Sequence, residues 1–128
     1  KQIEEGLILA DIAKQAVAIS WATKQSFPSD NSVAGVPAAD KIVGNFVSKI
    51  AIENGVVNIT FGNSVAGAIK GKILSLRPAV ITDAPIVPVA WVCSKGKVPD
   101  KMTVQGTDRS DIPNALLPLA CRGAGNPS

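Results

Sequence analysis

The sequence predicts an α+β fold: a long N-terminal helix packed on a four-stranded antiparallel sheet, followed by a long C-terminal loop bounded by two cysteines. Three observations predict it. Residues 1–24 contain no proline and one glycine, and their apolar residues recur at helical spacing. Runs of strand-forming residues divided by turn signals follow between Phe46 and Cys93. Beyond Cys93 the periodicity is lost, and the other cysteine, Cys121, follows after 27 intervening residues.

The chain has 128 residues, which is one domain's length. Hydrophobic residues make up 46% and charged residues 18%, enough for a real core and too apolar for a disordered tail. Aromatics are 4%, with no Tyr, so the core is aliphatic. His is absent, which removes the Ser-His-Asp triad, Cys-His dyads and every His-containing zinc site. The net charge of +3 is spread along the chain, whereas nucleic-acid binders concentrate basic residues and interleave aromatics. No apolar run approaches the roughly 20 residues that span a bilayer. The chain opens at Lys1, without Met or signal peptide, in what reads as a helix already under way. It is read as a processed or truncated piece of something longer.

In the helix, Leu9, Ile12, Ala13, Ala16, Ile19 and Ser20 follow i, i+3, i+4 spacing and are expected to form the buried face. Gly6 costs about 1 kcal/mol against Ala at an interior helical position. Pro28 biases Phe27 away from helical angles and ends the element. Residues 25–45 read as a connector rich in small residues, with a short turn near Ala38–Val43. The sheet is expected over 46–93. Phe46–Glu53 and Val56–Phe61 flank Asn54-Gly55, a dipeptide suited to a type I′ hairpin, which needs positive φ at both positions. Val57, Ile59 and Phe61 share one face. A small-residue loop over 62–71 leads to a third strand, Lys72–Arg77, with Leu74 and Leu76 inward. Pro78–Pro88 reads as a connector, and Val87, Val89, Trp91 and Cys93 alternate as a fourth strand. Ser94–Ala120 reads mostly as loop, and the tail from Arg122 as frayed.

Nothing in the residues assembles an active site, and no catalytic or metal-binding residue is assigned. Ser94–Lys97 fits S-x-x-K and Ser29-Asp30-Asn31 fits S-D-N, but they stand in the wrong order and K-T-G is missing. Gly71-Lys72 fails a phosphate loop at both ends, with Ala66 at the earlier Gly position and Ile73 at the Ser/Thr position. Asp108 and Asp111 lack a third carboxylate and read as solvated charges. Asn58-Ile59-Thr60 is a glycosylation sequon inside an expected strand. Lys70/Lys72 and Lys95/Lys97 read as solvated basic pairs. Leu116, Leu117 and Leu119 read as burial of the returning loop, and Trp91 as packing against the helix and Cys93. Two readings stand for the cysteines, a disulfide or two buried thiols. The absence of a nearby metal partner and their loop-bounding placement favour the bridge, which would place the chain outside a reducing cytoplasm.

The arrangement resembles the type IV pilins of Gram-negative bacteria, in particular the type IVa, pseudomonad-like branch. Trp91-Val92-Cys93 resembles the W-x-C that ends the last strand of those proteins. Leu117-Pro118-Leu119-Ala120-Cys121 resembles the P-x-x-C that closes their loop, and Lys1–Leu7 resembles the amphipathic second half of the pilin helix. The family's N-terminal Phe, nearby Glu and apolar half-helix would precede Lys1. The resemblance implies a Cys93–Cys121 disulfide and no cofactor. It also implies a non-enzymatic structural subunit of a pilus that serves surface adhesion and twitching motility. The implied partners are identical subunits in a helical homopolymer, the pilus assembly machinery, and a host glycan or abiotic surface. Membrane contact is implied only through the preceding helix, in the inner membrane before assembly. Subunit packing is expected through the connector, about Lys24–Asn45, and the disulfide loop. At the fibre tip the loop is expected to bind receptor, with Lys95, Lys97, Lys101, Thr107, Asp108, Arg109, Pro113 and Asn114 as candidates. Some relatives carry a glycan on a C-terminal Ser, the type of residue at Ser128. Two alternatives are a type II secretion pseudopilin, which typically holds calcium in place of the crosslink, and a stand-alone secreted carbohydrate-binding module.

Overall fold

A computed structural model describes residues 2–118, 121 and 122. The helical region forms as α1 (Gln2–Leu9) and α2 (Asp11–Lys24), joined at Ala10. The expected single helix is therefore interrupted. The irregularity is slight: Ala10 keeps right-handed angles, its N–H donates to Gly6 O, and its carbonyl accepts from Lys14 N, each at 2.9 Å. Helix α2 ends where Gln25 turns left-handed at φ 52° and its N–H donates to Trp21 O. Trp21 then stacks on Phe27, with ring centroids 5.0 Å apart.

The buried face of the helix differs from the expected one. Ile3, Ala10, Ala13, Val17 and Trp21 face the core, whereas Ile8, Ile12 and Ile19 are 74%, 51% and 62% exposed. At about 100° per residue the two sets lie on nearly opposite faces. The helix is thus apolar twice over, and close approach selects between the faces. A Cβ on Gly6 would lie 2.8 Å from Phe61 Cζ and 3.0 Å from Ile59 Cγ2. The face with Gly6, Ala10 and Ala13 lets the backbone settle on the sheet, and the isoleucine face would hold it away. Gly6→Ala is accordingly expected to destabilise the fold by about 1–2 kcal/mol despite its better helix propensity, because the Phe61 ring is fully buried and overpacking is costly. A denaturant titration of the variant checks this.

Strands β1 (Val47–Glu53), β2 (Val56–Phe61), β3 (Ile73–Val80) and β4 (Ala90–Cys93) pair antiparallel in that order. The β1–β2 turn is the expected Asn54-Gly55, with φ 49° and 87°. Its amides donate to Ser29 O and Pro28 O, which ties the hairpin tip to the segment after the helix. A register shift between Val47 and Lys49 keeps Val47, Ile50 and Ile52 all buried. These residues, with Val57, Ile59, Phe61, Leu74 and Leu76, form the core under the helix.

Two expected boundaries move. Strand β3 runs on through Pro78, expected to open a connector. Leu76 is the last residue of β3 paired with β2, opposite Val57, and the next site across from Pro78 falls in the Asn54-Gly55 turn. The missing N–H of Pro78 therefore takes no bond from the β2 ladder, and its carbonyl still accepts from Gln105 N at 2.8 Å. Strand β4 begins at Ala90 and not Val87, after Pro88. The segment expected to be loop also carries β5 (Thr103–Val104), paired with β3 at Ala79 and Val80, and a 3-10 turn over Asn114–Leu116.

The connector holds a short helix, α3 (Asn31–Ala34), capped by the Asp30 carboxylate on Val33 N at 2.9 Å. A single 3-10 turn over Ala39–Lys41 stands where a short turn was expected. Asn31 is buried against the outer edge of β1. Its amide Nδ2 donates to Ile50 O and Pro37 O, and its Oδ1 accepts from Ile52 N at 2.7 Å. One side chain thus does for β1 what a neighbouring strand would.

Candidate functional site

Two surfaces stand out: the loop closed by the cysteines and the outward face of the helix. The bridge is formed, with Cys93 and Cys121 Cα atoms 4.6 Å apart and Cys121 buried in the core. From Cys93 the chain leaves β4, reaches β5 at one end of β3, and then crosses to the other end. There Asp111 exchanges two hydrogen bonds with Ile73, N–H to O at 3.0 Å and Ile73 N to Oδ1 at 2.6 Å.

Between those ends the loop is fixed by a polar network. Ser75 Oγ donates to Asn58 Oδ1 at 2.6 Å and accepts from Arg109 N at 2.8 Å, while Ser75 N donates to Ser110 Oγ. Asn58 Nδ2 donates to Glu53 Oε1. The Arg109 guanidinium reaches the same carboxylate, Nε to Oε1 at 2.5 Å and Nη2 to Oε2 at 2.7 Å. The loop buries Asn58 and Ser75, so β2 and β3 are covered on both faces. The sequon reading of Asn58 fails here, because both ends of its amide are engaged beneath the loop.

Charge reinforces the clamp. The hydrogen bonds from Arg109 hold Glu53 below the ordinary carboxylate range, against partial burial. At Asp108 burial pushes the carboxyl up, but hydrogen bonds from Ser110 and the Lys95 ammonium at 3.3 Å prevail and lower it. Both carboxyls are depressed in the folded state. Their contribution is therefore complete above the unfolded carboxylate pKa, about 4, and is lost as pH falls through the lower folded values. Acid titration of unfolding is expected to show a steeper loss of stability below about pH 4 in the native chain than in Glu53→Gln/Asp108→Asn.

The candidate receptor residues divide accordingly. Lys95, Asp108 and Arg109 hold the loop in place. Lys97, Lys101, Thr107 and Pro113 are exposed, and Asn114 begins the 3-10 turn. Glu53, Asn58, Ser75 and Ser110 were missed, since no local pattern joins loop and sheet residues 34 to 56 positions apart. Asp108 and Asp111, expected to be solvated, are engaged by Lys95 and Ile73. Among the described residues no three His, Cys, Asp or Glu side chains group to hold a metal. Trp91 packs against the core, with Lys14 Nζ 6.0 Å from its ring centroid. Leu117 is buried, Leu116 is 45% exposed, and Leu119 and Ser128 lie outside the described residues, as does the tail after Arg122.

Two successive helices, an antiparallel sheet and a cystine-closed loop make up the fold, and comparison with known proteins gives its class, a fibre-forming subunit. The family model for Pilin (bacterial filament) matches residues 2–122. The type IV major pilin protein PilE of Neisseria gonorrhoeae is 34% identical over 127 residues, covering 94% of this chain and 74% of that protein. A fimbrial protein of Neisseria meningitidis serogroup A is 34% identical over 132 residues, covering 96% and 75%. Fimbrial protein EcpC of Eikenella corrodens is 30% identical over 130 residues, covering 99% and 72%. The chain belongs to the pilin family. It is a structural subunit of a type IV pilus, an extracellular fibre assembled from an inner-membrane pool.

Proposed function

We propose that the subunit packs into its fibre through the outward isoleucine face of the helix, and that the fibre serves surface adhesion and twitching motility. The observation that carries the packing is the doubly apolar helix: one face is buried in its own domain, and Ile8, Ile12 and Ile19 are left for another. Soluble monomers rarely keep such a stripe without a partner. Ile12→Lys is expected to abolish fibres while the purified chain melts as before, because Ile12 is half exposed and stands outside the core cluster. Fibres at normal yield from that variant would reject the reading.

The disulfide loop is the proposed contributor to subunit packing and to receptor binding at the tip, for a host glycan or an abiotic surface. Its clamped main chain presents a fixed shape, with Lys97, Lys101, Thr107 and Pro113 outermost. Lys97→Ala/Lys101→Ala is expected to leave fibre yield intact and to lower attachment severalfold, read by counting attached cells on glycan-coated and bare surfaces. Equal attachment on both would remove these lysines from the proposal. The pseudopilin alternative predicts a rise in melting temperature with calcium. None is expected here, since Asp108 and Asp111 are already engaged.

A further inference from the structure

Beside the isoleucine stripe lies an open groove of about 330 Å³. Ala18, Ile19 and Ala22 of α2 form one wall, and Pro85, Ile86 and Pro88 of the β3–β4 connector form the other. No charged side chain lines it, and the Trp21 indole is the one lining side chain with a polar atom. Ile86 is 90% exposed, the most exposed large apolar residue described. The two prolines flanking its neighbourhood restrict the backbone that presents it. This connector takes no part in the core, the disulfide or the polar clamp.

We infer that this groove is a socket for a second copy of the chain, and that Ile8 and Ile12 of that copy are what it receives. The inference rests on the fibre reading above and adds the connector to it. An open filament requires a heterologous contact, in which two different patches of one chain meet; a self-complementary patch closes into a dimer. The helix supplies two such patches on one stripe. Ile8 and Ile12 project at its start, and Ile19 lines the groove near its end. They are 11 and 7 residues apart, or about 16 Å and 10 Å of axial rise. A neighbour set alongside and shifted by that distance along the axis brings its isoleucines to the groove. The groove's lack of charge excludes the lysine-bearing loops as occupants, because an unpaired charge buried there would be costly. Ile8 and Ile12, by contrast, continue the same exposed stripe as Ile19. The groove has nine lining residues, against the roughly 20–30 a side of a stable pairwise interface. The contact therefore holds only when repeated along a fibre, and the free chain stays monomeric.

The test uses fibres of the full chain produced in cells. Ile86→Glu is expected to cut sheared fibre yield by more than about tenfold, since a charge would enter an apolar contact repeated at every subunit. Ile86 is exposed, so the melting temperature of the purified variant is expected to be unchanged. In Ile12→Cys/Ile86→Cys fibres, mild oxidation is expected to give a covalent ladder on a non-reducing gel, and neither single variant is expected to give one. Normal fibre yield from Ile86→Glu, no ladder from the double variant, or dimers from Ile86→Cys alone would each overturn the socket. If the unaltered chain assembles no fibre at all, the fibre reading itself fails, and the socket with it.

Discussion

Replacing Cys93 and Cys121 together by serine is expected to lower stability by about 3–4 kcal/mol and the melting temperature by roughly 10–15 °C. The estimate follows from the 27 residues between the cysteines, whose crosslink restricts the unfolded chain. The loss should not be uniform. The loop is also held by β5, by the Asp111–Ile73 pair and by the Glu53–Arg109 clamp. Hydrogen exchange of the double variant is therefore expected to rise most near the returning end at Ile112–Leu117, and least at Ser75 and Asn58. Fibre yield should fall with stability, and fibres at normal yield would show that assembly does not need the staple. A reduced native chain that melts with the oxidised one would refute the energetic argument.

Asn31→Ala is expected to cost about 3 kcal/mol, more than most single replacements of a polar residue. The substitution removes three hydrogen bonds, and the groups left behind include the Ile50 carbonyl and the Ile52 amide, which the connector keeps from water. Asn31→Asp is a sharper control. It keeps the acceptor for Ile52 N and loses the donor to Ile50 O and Pro37 O, so it should fall between the native chain and Asn31→Ala near neutral pH. Urea midpoints of the three proteins check the order. If Asn31→Ala matches the native midpoint, the amide is not what holds the connector to β1.

The parts of the fold that were legible in the sequence are those that local chemistry decides. Asn54-Gly55 dictates its turn because few other residues tolerate two positive φ angles, and the alternation of Val57, Ile59 and Phe61 settles which face of β2 goes inward. The helix was legible as a helix, but its orientation was not. The periodicity of Ile8, Ile12 and Ile19 is as regular as that of Ala10, Ala13 and Val17, and hydrophobicity alone favours the larger side chains. What decides is how near Gly6 must come to Phe61, a fact about the sheet and not about the helix. Pro78 misled for a similar reason, since whether a lost N–H matters depends on where the neighbouring strand stops. The cysteine-bounded loop was legible as a loop. Its anchoring was not, because Ser75, Asn58 and Arg109 carry no pattern until the chain is folded.

The amide of Asn31 also bears on solubility. Subunits stored at high local concentration before assembly risk sticking together strand to strand, the route that leads to amyloid-like stacking. On the first strand's outer row the Ile50 carbonyl and the Ile52 amide are already taken by a side chain from the same molecule, which hinders that route on this flank. Self-association is thereby biased toward the greasy flank of the helix.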